Sequence, residues 1–236
     1  MAVATQRITL YTTKICPYAH RVEIALAEAQ AEYKKYQIDL ANKPEWYAPK
    51  VNPASKVPAL AYGGPDIAPE TPSPESEKLA ESLILVEFVA DLFPQASLLP
   101  EDPVLRAKAR FFVETISSKL TPTYGAFVLR GESSERVLSG LEAIQDTLPE
   151  TGKYAVGDQY TIADVAFTPF IARFKFATEN ELGKFTPEEG RRFVEALQQP
   201  KFLKLSAYIG RLLERESFKA TFDRDFFKGF LQQRFS

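Results

Sequence analysis

The apolar pattern changes period once along this chain, and that change restricts the fold more than any other feature. Up to residue 62, short runs of period two alternate with helical spacing; after residue 79 the apolar residues recur only at helical spacing. Arg7-Ile8-Thr9-Leu10-Tyr11-Thr12 alternates and is rich in β-branched and aromatic residues, so it reads as a strand. Residues 17–30 follow, with Val22, Ala25, Leu26 and Ala29 on one helical face and Pro17 at the first position, where a missing N–H costs nothing. Tyr33 to Ile38 reads as a second strand, 44–50 as a short helix opened by Pro44, and Val57 to Tyr62 as a third strand. A strand, a crossover helix and a strand imply two parallel neighbours.

Residues 63–78 interrupt the pattern. Gly63-Gly64-Pro65 is a turn, and Pro65, Pro69, Pro72 and Pro74 punctuate an acidic stretch with little apolar content to hold it. Its composition favours a solvated, mobile insertion; a lid or a partner contact is the other reading. Leu85, Phe88, Val89 and Leu92 then share a helical face that Phe93-Pro94 ends, and three prolines in 94–103 place a domain boundary there. One domain therefore covers 1–95 and a second, all-helical one covers 103–236. Ala109, Phe112, Val113, Ile116 and Leu120 mark one long helix of the second domain, and Val137, Leu141, Ile144 and Leu148 another. Thr161-Ile162-Ala163-Asp164 has the spacing of a capping box. The helix it opens is apolar nearly all round through Phe167, Phe170, Ile171 and Phe174, which predicts the buried centre of a bundle. Thr186-Pro187-Glu188-Glu189 is a second box, and Phe202, Leu205, Ile209 and Leu212 give a further helix. The tail carries Phe218, Phe222, Phe226, Phe227, Phe230 and Phe235, too many rings to leave in water.

Composition removes several function classes. With 29 Lys and Arg against 31 Asp and Glu, a broad nucleic-acid-binding face is not expected. No apolar run approaches the ~18 residues of a membrane span. The start of the chain has no apolar signal core, so a cytoplasmic protein is expected. There is one cysteine, Cys16, and one histidine, His20. An intramolecular disulfide and a dithiol cycle are excluded, and no metal site is expected.

Position makes that lone cysteine the candidate nucleophile. Cys16 lies between a strand and a helix beginning at Pro17, where free N–H groups and the helix dipole stabilise negative charge. A thiol so placed has a lowered pKa, and the thiolate is the reactive form. In the run Cys16-Pro17-Tyr18-Ala19-His20-Arg21, alanine stands where a Cys-x-x-Cys site has its resolving thiol. What remains for a reactive Cys16 is a monothiol mechanism, in which the thiolate attacks a substrate sulfur and an external thiol resolves the mixed disulfide; the other reading is a small buried residue that fills a strand end. Val57-Pro58 can start a strand, or be a cis step that offers the Val57 backbone to an extended ligand. Glu81-Ser82 before a helix can be plain capping, or a site for an α-amino-acid group.

Together these pieces resemble a cysteine-type glutathione transferase, with the omega class and its fungal members as the best match. The resemblance rests on Cys16 to Val22; on Lys43-Pro44-Glu45-Trp46-Tyr47; on Asn52 to Leu60; on Glu81-Ser82-Leu83-Ile84; and on Gly157 to Asp164. It implies an α/β N-terminal thioredoxin-like domain with a mixed four-stranded sheet, followed by an all-α helical bundle. It implies Cys16 as catalytic thiol and glutathione as co-substrate. Val57, before a cis Pro58, would pair with the cysteinyl part. Glu81 and Ser82 would hold the γ-glutamyl group, Lys43 the glycyl carboxylate, and Tyr18 would lie near the thiol. An acceptor pocket is expected at Tyr124, Phe127, Arg173 and Phe174, and a homodimer is expected, with its geometry put in question by the 63–78 insertion. The activity implied is thiol transfer or deglutathionylation, with dehydroascorbate and glutathionyl ketones among the acceptors. The alternative is a ligand-binding protein for aromatic metabolites with weak catalysis.

Overall fold

The computed structural model describes residues 7–235, so the reading of the first residues as lacking a signal core lies outside the described residues. The chain divides into two compact units, Met1–Ala96 and Ser97–Ser236.

The first unit is built on a mixed sheet of four strands, β1 (Ile8–Thr12), β2 (Lys34–Gln37), β3 (Ala59–Tyr62) and β4 (Glu77–Ala80), in the order β2-β1-β3-β4. β1 and β2 are parallel and the other two pairings antiparallel. The parallel pair is connected through α1 (Pro17–Glu28). The register sets Leu10 opposite Leu60 and Leu60 opposite Leu79, an apolar row across the sheet. β1 alternates its faces. Thr12 points to the α1 side, where its hydroxyl donates to Glu23 Oε1 at 2.6 Å. α1 packs against α3 (Ser82–Leu92). Tyr11 points the other way, into a cluster with Ile38, Tyr47 and Val51 over which Tyr36, Trp46 and Val57 pack. Tyr47 opens the short α2 (Tyr47–Lys50). β3 begins two residues later than the apolar run suggests, because Val57 and Pro58 form the loop that leads into it.

β4 is the strand that local pattern does not show. Glu77-Lys78-Leu79-Ala80 has no β-branched residue; pairing with β3 makes it a strand. The segment before it is also better held than its composition suggests. The Tyr11 hydroxyl donates to Pro69 O at 2.8 Å, and Lys34 Nζ donates to Asp66 at 2.5 Å and to Ile67 O at 2.9 Å. Ser73 and Ser76 are buried. Lys78 Nζ donates to the carbonyls of Ser73 and Ser76 and to the Ser76 hydroxyl at 2.6–2.8 Å. The expectation of an insertion with nothing to hold it is therefore corrected. Prolines shorten its own hydrogen-bond supply, and side chains from the sheet provide the missing partners.

The second unit is helical throughout: α4 (Pro103–Thr115), α5 (Thr121–Tyr124), α6 (Glu135–Thr147), α7 (Ile162–Glu179), α8 (Pro187–Gln198), α9 (Leu203–Leu213), α10 (Glu216–Thr221) and α11 (Arg224–Phe235). The single long helix expected through Leu120 is instead α4 followed by wide π turns at Ile116–Leu120 and Gly125–Leu129, on either side of α5. Pro122 lacks an N–H for the carbonyl one turn back, and a widened turn accommodates the loss. α6 crosses this stretch at Gly140, where a Cβ would come within 2.6 Å of Lys119 O.

α7 is the buried centre. Its capping box is formed, with the Asp164 carboxylate accepting from Thr161 N at 2.8 Å. The same carboxylate accepts from Ala155 N at 3.0 Å and from the Tyr208 hydroxyl at 2.8 Å. The second box is only half formed. Thr186 caps α8, but the Glu189 carboxylate is taken by Ser134 N at 2.6 Å, at the start of α6. The aromatic tail packs in part: Phe218, Phe222 and Phe227 are buried, the last two against Phe176 with the Arg173 guanidinium 5.2 and 5.1 Å from their ring centres, while Phe226 is exposed.

Candidate active site

β1 ends four residues before Cys16, and the turn between them closes with Cys16 N donating to Thr13 O at 3.2 Å. Cys16 is the N-cap of α1, in extended conformation, with Pro17 as the first helical residue. Its side chain makes no capping bond to the helix start, and the residue is partly exposed. The Cys16 thiol donates to Val57 O at 3.9 Å. The first turn of a 12-residue helix lies behind it, a favourable setting for a thiolate.

Val57 is presented by a loop built for it. The Val57–Pro58 peptide is cis. The preceding carbonyl, of Lys56, accepts from the Tyr47 hydroxyl at 2.7 Å and from Asn52 Nδ2 at 2.8 Å. Burial pushes the Tyr47 hydroxyl pKa up, so it stays protonated as a donor. Lys43 Nζ donates to Ser55 O at 2.6 Å, which holds its ammonium at the edge of the same loop. At the start of α3, Glu81 is the N-cap with φ of 71°, a backbone conformation rarely adopted without a glycine. Ser82 is the first helical residue and is buried.

These elements converge on one cavity of about 450 Å³. All seven residues expected at the thiol and glutathione site line it: Cys16, Tyr18, Lys43, Val57, Pro58, Glu81 and Ser82. Leu40, Asn52, Ser55 and Lys56 complete it. Its walls carry two lysines, Lys43 and Lys56, one acid, Glu81, and the first residue of α3, Ser82. That arrangement suits an extended, zwitterionic peptide with its sulfur toward Cys16.

The comparisons with known proteins agree with the geometry. The model for the glutathione S-transferase N-terminal domain matches residues 10–97, and that for the C-terminal domain matches 129–200. The solved structure of glutathione transferase Omega 1C from Trametes versicolor is 55% identical, covering 98% of this chain and 97% of that one with a TM-score of 0.93. The chain belongs to the glutathione transferase family, in its omega class. Omega 2S from Trametes versicolor, solved in complex with 2,4-dihydroxybenzophenone, is 43% identical, covering 98% and 100% of the two chains with a TM-score of 0.91. Glutathione S-transferase L3 of Arabidopsis thaliana is 34% identical over 180 residues, 74% of this chain and 69% of that protein.

Sequence reasoning about this transferase fell short in two places. It attached no role to Lys56, Asn52, Ser55 or Leu40. Asn52-Pro53 is a turn signal, and it could have marked the loop that the Asn52 side chain ties together. The acceptor pocket needs a larger correction. Phe127 and Phe174 are fully buried, Phe127 stacks on Phe185 at 4.8 Å between ring centres, and both lie against Phe193. Arg173 is buried beside the Phe222 and Phe227 rings, with Nη1 donating to Pro169 O at 3.1 Å. These three are buried positions of the second unit. Tyr124 alone keeps partial exposure, with edge contacts to Phe170 and Phe174. Aromatic residues on a helix buried all round serve the core first.

Proposed function

We propose that this transferase is a glutathione-dependent thiol transferase that works through one cysteine. The observation that carries the reading is the meeting, in one cavity, of a lone thiol at a helix N-terminus with the Val57 carbonyl 3.9 Å away and the Glu81-Ser82 start of α3. The Cys16 thiolate attacks the glutathionyl sulfur of a glutathione mixed disulfide, breaking its S–S bond, forming a new disulfide with Cys16 and releasing the other partner as a thiolate. A second glutathione thiolate then attacks the glutathionyl sulfur, releasing oxidised glutathione and the Cys16 thiolate. With no second cysteine in the chain, the mixed disulfide has no internal route to collapse. In this reading the Val57 backbone pairs with the cysteinyl residue, Lys43 meets the glycyl carboxylate, and Glu81 and Ser82 take the γ-glutamyl end. Mass spectrometry after incubation with oxidised glutathione is expected to show a single glutathione adduct on Cys16. Cys16→Ser is expected to lose both the adduct and deglutathionylation; activity that survives the change overturns the mechanism.

A second reading, binding of aromatic metabolites with catalysis secondary, is supported by the relative solved with 2,4-dihydroxybenzophenone. Titration with that compound, with and without glutathione, separates the two. No saturation below about 1 mM removes the second reading.

A further inference from the structure

Arg21 stands on α1, five residues after Cys16, among Val22, Ile24, Ala25 and Leu26, which are fully buried. An arginine at such a position is costly unless it has a task. It is itself only 2% exposed. Its Nη1 donates to Ser82 Oγ at 3.3 Å, and its guanidinium lies 5.5 Å from the centre of the Tyr18 ring. Both of these residues line the cavity together with Cys16.

We propose that Arg21 is a positioning residue for the thiol: its charge, fixed behind Tyr18 and Ser82, stabilises the ionised sulfur of Cys16 from the side opposite solvent. This rests on the reading of Cys16 as the reactive thiolate. Desolvation pushes the guanidinium pKa down to about 10, so Arg21 remains a cation at neutral pH. The groups that raise it again are the Tyr18 hydroxyl and the Cys16 sulfur, and an interaction of two charges acts on both partners. The other charged or titratable side chains on the cavity are Tyr18, Lys43, Lys56 and Glu81. Burial raises the Tyr18 hydroxyl, so it does not compete with the thiol for ionisation near neutral pH. His20 and Glu23 are buried elsewhere on α1, and Glu23 is engaged by Thr12 and by Lys35 Nζ at 2.7 Å. Among these groups Arg21 is the cation held in a water-excluded place, where a charge acts most strongly.

The test uses the single cysteine, because thiolate absorbance and alkylation rate then report one group. The wild-type Cys16 pKa is expected well below the unperturbed value of about 8.5. Arg21→Gln is expected to raise it by about one unit, a tenfold loss of thiolate at neutral pH, and Arg21→Lys to recover most of the difference. A wild-type value near 8.5 overturns the thiolate reading itself. A lowered wild-type value that Arg21→Gln leaves unchanged overturns the role of Arg21 alone. Should Arg21→Gln fail to fold, the Arg21 15Nε resonance in the wild type decides. It is expected to titrate with the thiol and to lose that titration in Cys16→Ser; a flat resonance in the wild type overturns the proposal.

Discussion

Glu81 carries a φ of 71° that a non-glycine residue holds only when its surroundings demand it. On one side β4 is paired into the sheet through Ala80, and on the other Leu85 N donates to Glu81 O at 2.9 Å. The residue is caught between two fixed elements, which turns its side chain out beside Ser82. Lys43 is placed by a different means. Its long side chain reaches the Ser55 carbonyl, and an incoming carboxylate would be a stronger acceptor than that carbonyl. Lys43→Met is expected to weaken glutathione binding about tenfold, measured as KM for glutathione, with kcat little changed. An unchanged KM would remove Lys43 from the glycyl end. At this scale the sequence pointed to Cys16, Val57, Glu81 and Ser82 through local context: a strand end, an X-Pro step and a helix start. It attached no role to Arg21, which is buried with its guanidinium against Ser82 at the start of α3.

Among the elements, α7 depends most on one titratable group. Asp164 is fully buried, and desolvation pushes its pKa up to about 6 despite four donors around it. The folded state therefore holds a proton between about pH 4 and pH 6 that the unfolded state has released. That contribution to stability is fully present below the unfolded pKa of about 3.8 and is lost as the pH rises through 6, about 3 kcal/mol in all. Asp164→Ala leaves the N–H groups of Ala155 and Thr161 without their acceptor and is expected to cost about 3 kcal/mol. Denaturant melts of both proteins from pH 4 to 7 check this. The variant's stability is expected to lack the wild-type decline across that window. The Thr161-to-Asp164 signal was legible because a capping box is local. Glu189 shows the limit of local reading: its spacing fits a box, yet its carboxylate crosses to Ser134 because α8 is packed beside the start of α6.

For the whole molecule, assembly is a proposal that exposed apolar side chains support. Val104 and Phe111, one heptad apart on α4 of the second unit, are each more than 60% exposed. Residues of that size left in water are candidates for a subunit interface. A homodimer built on this surface is expected to dissociate in Phe111→Asp, with sedimentation velocity giving the mass of one chain. A dimer that persists places the interface elsewhere. No helix among the described residues is long and apolar enough to cross a membrane.

The sequence by itself determined the first three strands, the switch from a mixed unit to a helical one, the place of Cys16 at a helix start, and the family. Those properties are written in spacing: period two against helical period, a proline at the first helical position, a cap three residues before its acid. The tertiary structure decided what spacing cannot carry. It made Glu77–Ala80 a strand by giving it β3 as a neighbour, and held the proline-rich segment with Tyr11, Lys34 and Lys78. It took Phe127, Arg173 and Phe174 into the core, and buried Arg21 against Ser82. Each of these outcomes depends on a partner distant in the chain, and burial is a property of the packed molecule that no local pattern records.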